Sequence, residues 1–292
     1  MTTVLRRRMV DALEMRGMAQ RTQEAYIDAV ARLSRHYKCS PDKLSAEQVQ
    51  QYLLHLLRDK KLSRSSLNQY GCAYRFFYGK VLGLDGSTFY VPLAKAPQKL
   101  PEILSRDELA RLFDAAGHDK ASTFLKVAYG TGLRLTELCR LQVRDIDSHA
   151  DRMCLKVDQG KGSKDRYVPL SEDVLEVLRG WWRKARPQTW MFGAPSNEHQ
   201  AMDGLNAQRW YRSASLRAGI TKHGGIHTLR HCYATHLLEA GVDLHSLQQW
   251  LGHQHLSTTT RYIHLAKPDA PDGARGKPLA LLGALPKVAK AH

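Results

Sequence analysis

The sequence of 292 residues has few cysteines, no long apolar run and a shortage of acidic residues. Its 5 cysteines are odd in number, widely scattered and never spaced as Cys-x-x-Cys. This usage argues against a disulfide scaffold or a zinc ribbon and fits a reducing cytoplasm. No stretch approaches the roughly 20 apolar residues that a membrane span needs, and no apolar signal core follows the basic N-terminus. We therefore expect a cytoplasmic protein that does not engage a membrane.

The shortage of acidic residues makes the chain strongly basic. Its 44 lysines and arginines stand against 28 aspartates and glutamates, which gives a formal net charge of +16. Hydrophobic residues make up 43% of the chain, enough for real cores. A folded protein this basic usually binds a polyanion, most often nucleic acid. The alternative is a basic solvated surface without such a partner, because net charge bears on association and not on fold.

Local patterns divide the chain into four parts. Residues 1–84 carry apolar residues at helical spacing and predict a domain of four helices. Proline and glycine punctuate residues 85–101, which we interpret as an extended basic linker, or else as a surface loop inside one domain. Helical patterns resume over residues 102–267 and predict a second domain. Proline and glycine recur in residues 268–292, which we interpret as a C-terminal tail.

The second domain is predicted to be mainly helical with one small β-hairpin. Ser105 with Glu108 has the spacing of a capping box and is expected to open its first helix. Two short runs, Met153–Val157 and Arg166–Leu170, have the composition of strands. The glycine-containing segment 160–164 is the expected turn between them. The predicted fold class is thus mainly α with a small β-sheet.

The residues that carry the most chemical information lie near the C-terminus. His227 and Arg230 are three residues apart at a helix start and are expected to share a face, while His231 is expected to point elsewhere. Tyr262 is flanked by polar residues, which suits an accessible hydroxyl, although a lone tyrosine more often packs in a core. Together with His253, which follows a glycine, this order places phosphate-binding cations beside a phenol. It favours covalent phosphoryl transfer through tyrosine.

The same stretch is a poor match to a metal site. His227 and His231 have the His-x-x-x-His spacing of zinc proteases. That pattern also needs a glutamate directly after the first histidine, and Thr228 stands there instead. We therefore predict no metal and no other cofactor.

Two upstream segments could complete a phosphate site. Arg134 follows a glycine turn near a predicted helix start, where backbone N–H groups and a guanidinium both favour phosphate. Glu137 lies one turn further on and could hold a neighbouring basic group, although surface Arg–Glu pairs are common. Lys161 or Lys164 in the hairpin turn could enter a groove and protonate a leaving oxygen, or could be an ordinary basic tip. The segment lacks the spacing of a nucleotide-binding loop, so ATP is not implied.

The combined order of these residues resembles the tyrosine recombinase (phage integrase) family. The resemblance covers nearly the whole chain and is carried by TGLRLTEL (131–138), GKGSKDRYVPL (160–170), HTLRH (227–231) and LGHQHLSTTTRYIH (251–264). It implies a two-domain architecture with an N-terminal helical core-binding domain and a mixed α/β catalytic domain. The six catalytic residues it implies are Arg134, Lys161, His227, Arg230, His253 and Tyr262.

The resemblance also implies a reaction and its partners. Tyr262 would attack a DNA phosphate to give a 3′-phosphotyrosyl link, the arginines and His253 would stabilise the phosphate, and His227 would accept a proton. Lys161, or failing that Lys164, would protonate the departing 5′-oxygen. A homotetramer would act on two DNA duplexes through a four-way junction, and the 268–292 tail could dock into a neighbouring subunit. Such a bacterial enzyme is expected at the nucleoid, where accessory proteins could take part.

Three other functions share some of these features. A topoisomerase-like enzyme would nick and reseal one strand by the same chemistry, and a DNA-binding regulator could keep the fold without activity. A metal-dependent nuclease would need a ligand set that the motifs do not offer. Within the recombinases, the short stretch between the hairpin and His227 leaves little room for the insertion of integron integrases. It favours a Xer-like or transposon-associated integrase.

Overall fold

The computed structural model describes residues 3–86, 89–93, 100–158, 165–266 and 281–286. The chain divides into two compact units, residues 1–99 and residues 100–292. No described helix is long and apolar enough to cross a membrane. Part of the predicted linker, residues 87, 88 and 94–99, lies outside the described residues.

The first unit is built on four α-helices within its described part. They are α1 (Thr3–Glu14), α2 (Gln20–Tyr37), α3 (Ala46–Arg58) and α4 (Arg64–Phe76), followed by a π-helical turn at Phe77–Val81. Helix α3 begins at the capping box of Ser45 and Gln48, and α4 begins where the Ser63 side chain accepts the N–H of Ser66. Fully buried side chains such as Val30 and Tyr74 form its core. The predicted four-helix organisation is confirmed for the described residues.

The second unit is mixed, with helices around a small sheet. Its helices are α5 (Arg106–Asp114), α6 (Asp119–Thr131), α7 (Leu135–Cys139), α8 (Glu172–Ala185), α9 (Gly204–Arg217), α10 (His227–Glu239), α11 (Leu244–Leu251) and α12 (Leu256–Thr260). Its strands are β1 (Ile146–Asp147), β2 (Cys154–Val157), β3 (Arg166–Pro169), β4 (Gly193–Ala194) and β5 (Asn197–Ala201). The predicted capping box of Ser105 and Glu108 is present at the start of α5.

The sheet is larger than the predicted hairpin. Strands β2 and β3 pair antiparallel with Leu155 opposite Val168, as predicted, and β1 adds a third antiparallel strand beside β2. A separate hairpin joins β4 and β5. Strands β1 and β4 have two residues each, too few to show a period of two in the sequence.

Helices α6 and α10 form the interior of this unit. Helix α6 packs between α8 and α10 and buries an apolar run that includes Phe124, Leu125 and Val127. Helix α10 is buried on nearly every side, so its sequence lacks the one-sided apolar stripe of a surface helix. Its first turns carry His227, Arg230 and His231. The site is therefore anchored on a helix that the rest of the unit encloses.

A short piece of the C-terminal tail lies against the same unit. Leu281 is 5% exposed and joins the core cluster, with Leu282 and Leu285 packed on it. The Asp173 carboxylate accepts the backbone N–H groups of Leu282 at 2.8 Å and Gly283 at 3.0 Å. This described piece of the tail contacts its own chain.

Candidate active site

Arg134 is positioned by the sharp break between α6 and α7. Gly132 ends α6 in the left-handed conformation, with φ of 60°, and Arg134 is the N-cap of α7. The Arg134 backbone N–H donates to Oε2 of Glu137 at 2.8 Å, and its Nη1 donates to Oε1 at 2.8 Å. The prediction that Glu137 holds a neighbouring basic group agrees with this geometry.

Glu137 also binds a second arginine that sequence reasoning did not select. Both Nη atoms of Arg166, at the start of β3, donate to the two Glu137 oxygens at 2.8 Å, and Arg166 Nε donates to the Trp250 carbonyl at 3.0 Å. Burial alone would raise the pKa of Glu137, but its bonds with Arg166 and Arg134 outweigh burial and lower the pKa to about 2. Glu137 is therefore a carboxylate that fixes two arginines.

Arg134 and Arg230 converge on consecutive carbonyl groups at the end of α11. Arg134 Nη2 donates to the Gly252 carbonyl at 2.6 Å, and Arg230 Nη2 donates to the Leu251 carbonyl at 2.7 Å. Arg230 Nη1 donates to the Gly132 carbonyl at 2.6 Å. Arg230 is 6% exposed. Its burial, followed by the positive charge of Arg134, lowers its pKa to about 10. An anion bound between the two arginines would favour their charged forms.

Gly252 makes this convergence possible. It ends α11 with φ of 62°, in the region that favours glycine. A Cβ added there would lie 2.9 Å from both Cδ and Nε of Arg166. Any side chain at this position would therefore displace the arginine that binds Glu137.

His253 lies between Arg230 and helix α12. Its Nε2 is 3.1 Å from Nη2 of Arg230, and its Nδ1 is 2.8 Å from Oγ1 of Thr259. Burial, reinforced by the charges of Arg230 and Arg134, lowers the pKa of His253 to about 3. The ring is neutral at neutral pH.

Tyr262 lies against His253 and is nearly inaccessible. It is 2% exposed, and its ring lies nearly parallel to that of His253, with 9° between planes and 6.3 Å between centroids. Burial raises the pKa of its phenol, and Arg230 and Arg261 lower it in part. The expectation of an accessible hydroxyl was wrong, because the turn after α12 folds this side chain inward.

The Tyr262 hydroxyl has an unexpected partner. It lies 2.9 Å from Nδ1 of His231. Burial, and then the charge of Arg261, lowers the pKa of His231 to about 4, so the ring is neutral. The expectation that His231 points away from the site was wrong. Tyr262 folds back onto α10 from a position 31 residues further along the chain and reaches the helix at His231.

His227 is the exposed member of the group. It is the first residue of α10. Partial desolvation of its ring, followed by the charges of Arg230 and Arg134, lowers its pKa. A neutral, accessible imidazole beside two arginines can accept a proton.

The structure thus brings five of the six predicted catalytic residues into one unit. The exception is Lys161, which with Lys164 lies outside the described residues. Within the described ranges, no three His, Cys, Asp or Glu residues are grouped so that they could hold a metal ion. Cationic side chains are the groups this site offers to a phosphate.

Comparison with known proteins decides the family. Residues 102–268 match the phage integrase family, and residues 5–87 match the phage integrase N-terminal SAM-like domain. The chain belongs to the phage integrase family of tyrosine recombinases. It is a site-specific DNA recombinase of the tyrosine type, as its sequence predicted.

Named relatives agree with this family. The recombinase is 39% identical over 90% of its length to y4qK of Sinorhizobium fredii, named as an integrase/recombinase, and covers 85% of that protein. It is 35% identical over 70% of its length to the tyrosine recombinase XerC of Xanthomonas campestris and covers 65% of it. These names favour recombination over a topoisomerase-like or inactive alternative, and the XerC match agrees with the Xer-like prediction.

A solved structure supports the fold. A lambda integrase tetramer bound to a Holliday junction aligns with a TM-score of 0.74 at 17% identity, over 94% of this chain and 79% of that one. The mainly helical fold with a small sheet is confirmed.

Three residues of the site were missed by sequence reasoning. Arg166 closes the GKGSKDR motif and begins the predicted strand Arg166–Leu170, and this position was the available signal. His231 adjoins Arg230, and Thr259 lies three residues before Tyr262. Their partners are 29, 31 and 6 residues away, respectively, so only the last contact is local in sequence.

Proposed function

We propose that the recombinase cleaves DNA with Tyr262 as nucleophile. The phenol oxygen attacks the scissile phosphorus, the bond to the 5′-oxygen breaks, and a 3′-phosphotyrosyl link remains. The phenol proton goes to His227, and Lys161 gives a proton to the departing 5′-oxygen, with Lys164 as second candidate. The 5′-hydroxyl of a partner strand then attacks the same phosphorus and releases Tyr262. This step exchanges the strands, and the reaction proceeds through a Holliday junction.

The single observation that carries this proposal is the convergence of Arg134 and Arg230 on consecutive carbonyl groups beside His253, whose ring stacks with that of Tyr262. A guanidinium has five N–H donors. In bonds between described residues, Arg134 uses two side-chain N–H groups, toward Glu137 and Gly252. The others are available for non-bridging phosphate oxygens, whose charge grows in the transition state. His253 would donate a hydrogen bond to the same phosphate.

The buried position of Tyr262 defines what must change on DNA binding. A phenol held at 2.9 Å from His231 and 2% exposed cannot reach a phosphate from solvent. We expect the turn that follows α12 to move so that the hydroxyl leaves His231 and approaches Arg134 and Arg230. The phosphate supplies the anion that stabilises this arrangement.

The test is a covalent adduct. The protein is incubated with a duplex that carries its own flanking genomic sequence and a nick beside the cleavage point, then denatured. A protein–DNA adduct is expected from the unaltered protein. It is also expected from the control variant Tyr233→Phe, which removes the hydroxyl of a different buried tyrosine, on α10. Tyr262→Phe should bind DNA without an adduct. An adduct that survives Tyr262→Phe would refute the nucleophile.

A two-site substrate separates recombination from simple nicking. Exchange of flanking DNA between two sites is the expected product, whereas relaxation alone would support the topoisomerase-like alternative. Both reactions need the same adduct, so this assay is read only after the adduct has been detected.

We further propose a homotetramer on two duplexes, in which each subunit uses both units on DNA and the basic linker 85–101 follows the duplex. The tetrameric state of lambda integrase on a junction supports this stoichiometry. The apolar piece Leu281–Pro286 is the contact we assign to assembly. It packs on the second unit of its own chain through Leu282 and Leu285. We propose that in the assembly the tail of a neighbouring subunit takes its place on that surface. Such an enzyme would act in the cytoplasm at the bacterial nucleoid.

The assembly proposal is tested by substitution in the tail. Leu282→Asp with Leu285→Asp should lower the tetramer fraction on DNA, measured by analytical ultracentrifugation. Ala284→Asp adds one of the two negative charges at an exposed position and should leave the fraction unchanged. Unchanged tetramer formation in the double variant, or in a chain that ends at residue 267, would exclude trans docking of the tail.

A further inference from the structure

Thr259 is a fully buried threonine whose side chain contacts the ring of His253. It lies on α12 and is 0% exposed. Its Oγ1 is 2.8 Å from Nδ1 of His253. Its carbonyl also accepts the backbone N–H of Tyr262 at 3.0 Å. Thr259 therefore links His253 to the turn that bears the tyrosine.

The direction of the Thr259 bond follows from the opposite side of the ring. Nη2 of Arg230 lies 3.1 Å from Nε2 of His253. A guanidinium can only donate, so Nε2 accepts and carries no proton. A neutral imidazole then carries its proton on Nδ1, which donates to the Thr259 hydroxyl. Arg230 and Thr259 together fix one tautomer of His253.

We propose that Thr259 is a positioning residue for His253, whose hydroxyl holds Nδ1 and keeps Nε2 directed at the phosphate site beside Arg230. This inference rests on the proposed function, in which Nε2 of His253 donates to the phosphate. When a phosphate oxygen replaces Nε2 as acceptor for Arg230, Nε2 takes a proton from solvent and donates its N–H to that phosphate. The Thr259 hydroxyl can hold the ring throughout, because it accepts from Nδ1–H and can donate to a bare Nδ1.

The first test uses the unaltered, DNA-free protein and needs no activity. Long-range ¹⁵N–¹H NMR of labelled histidine distinguishes the two neutral tautomers, and His253→Gln identifies the His253 signals by their loss. The expected result is a neutral ring with its proton on Nδ1. A neutral ring with its proton on Nε2 would overturn the inference.

The second test measures cleavage of the nicked duplex in a single turnover. Thr259→Val keeps the shape and removes the hydroxyl, so the rate should fall about tenfold, as for the loss of one hydrogen bond. Thr259→Ser restores the hydroxyl and should recover most of the rate. Thr258→Val makes the same change at an exposed neighbour and should cleave normally. DNA affinity should be unchanged in all three. The unfolding midpoint should be unchanged in Thr258→Val and should fall in Thr259→Val, because the buried Nδ1–H of His253 loses its acceptor.

The outcomes separate this inference from the proposed function. If Thr259→Val cleaves at the normal rate, or if Thr259→Ser is as slow as Thr259→Val, then Thr259 does not act through its hydroxyl. If Thr259→Val does not fold, the role of Thr259 is decided by the cleavage rate of Thr259→Ser and by the tautomer of His253 measured by NMR. Loss of the adduct in Tyr262→Phe is independent of these results, so the nucleophile can stand while the role of Thr259 fails.

Discussion

The Tyr262 hydroxyl lies 2.9 Å from Nδ1 of His231, and the tyrosine is 2% exposed. In the DNA-free protein, the proposed nucleophile is thus buried and hydrogen-bonded to a histidine that adjoins Arg230. Because the ring of His231 is neutral, it can serve as either partner in this bond. The bond stabilises the DNA-free position of the turn after α12.

His231→Leu should destabilise the free protein. The substitution leaves the buried phenol without its partner, which costs about 1–3 kcal/mol of the free energy of unfolding. His231→Asn places a polar atom near the position of Nδ1 and should cost less. Urea unfolding of the two variants checks this order. Equal losses would mean that packing, and not the hydrogen bond, holds Tyr262.

Glu137→Gln should be among the most destabilising single changes in the second unit. The Glu137 side chain is 8% exposed and pairs with both Arg134 and Arg166. Removing one partner of a buried ion pair leaves uncompensated charge and costs about 3–5 kcal/mol. Glu176→Gln is the matched control, because its pair with Arg179 is about half exposed. That control should stay within about 1 kcal/mol in the same denaturant titration.

The Glu137 carboxylate also predicts a pH dependence at the acid end. Its pKa falls from 4.5 to about 2 in the fold. The unfolded chain therefore takes up the proton first, and this stabilisation is present above pH 4.5 and lost as pH falls toward 2. The slope of unfolding free energy against pH should be shallower in Glu137→Gln over that window. An unchanged slope would show that the carboxylate is not held ionised by the arginines.

The buried histidines predict that the free energy of unfolding also depends on pH in a second window, at higher pH. Burial lowers the pKa of His253 to about 3 and that of His231 to about 4. Below the ordinary value of 6.5, the unfolded chain binds protons that the folded rings do not, so unfolding free energy should fall as pH drops from 6.5 to 5. His253→Gln should reduce this slope, whatever it does to stability at pH 7. A slope equal to that of the unaltered protein would contradict the burial of this ring.

Local signals in the sequence identified the parts of the fold that depend on neighbours in the chain. The capping box predicted at Ser105 involves residues three apart, and the structure contains it. The box at Ser45 and Gln48 has the same short spacing. Strand β1 was missed because two residues become a strand only by pairing with β2. The six-residue catalytic set followed from motif order and family resemblance.

Contacts between distant segments account for the errors at the site. His231 and Tyr262 are 31 residues apart. A helical pattern does not predict which residue of α10 a turn this far along the chain will contact. The polar neighbours of Tyr262 suggested exposure, yet packing against His253 buries it. The role of Arg166 depends on its side-chain contact with Glu137, which lies 29 residues earlier in the chain.

Gly252→Ala should disrupt the site more than a glycine substitution of the same backbone type elsewhere. Gly252 and Gly219 both adopt left-handed conformations, with φ of 62° and 64°. At Gly219 an added Cβ meets only Arg111 Nη1 at 4.0 Å, so Gly219→Ala should cost the strain of that conformation, about 1–2 kcal/mol. At Gly252 the same Cβ meets Arg166 at 2.9 Å.

The difference between these variants isolates the crowding of Arg166. Gly252→Ala should lose more unfolding free energy than Gly219→Ala and should also slow adduct formation, because Arg134 binds the Gly252 carbonyl and Arg166 shares Glu137 with it. Gly219→Ala should form the adduct at the normal rate when folded. Urea unfolding and single-turnover cleavage measure the two effects separately. If both variants lose equal stability and cleave equally, Gly252 is required only for its backbone conformation and not for the space it leaves to Arg166.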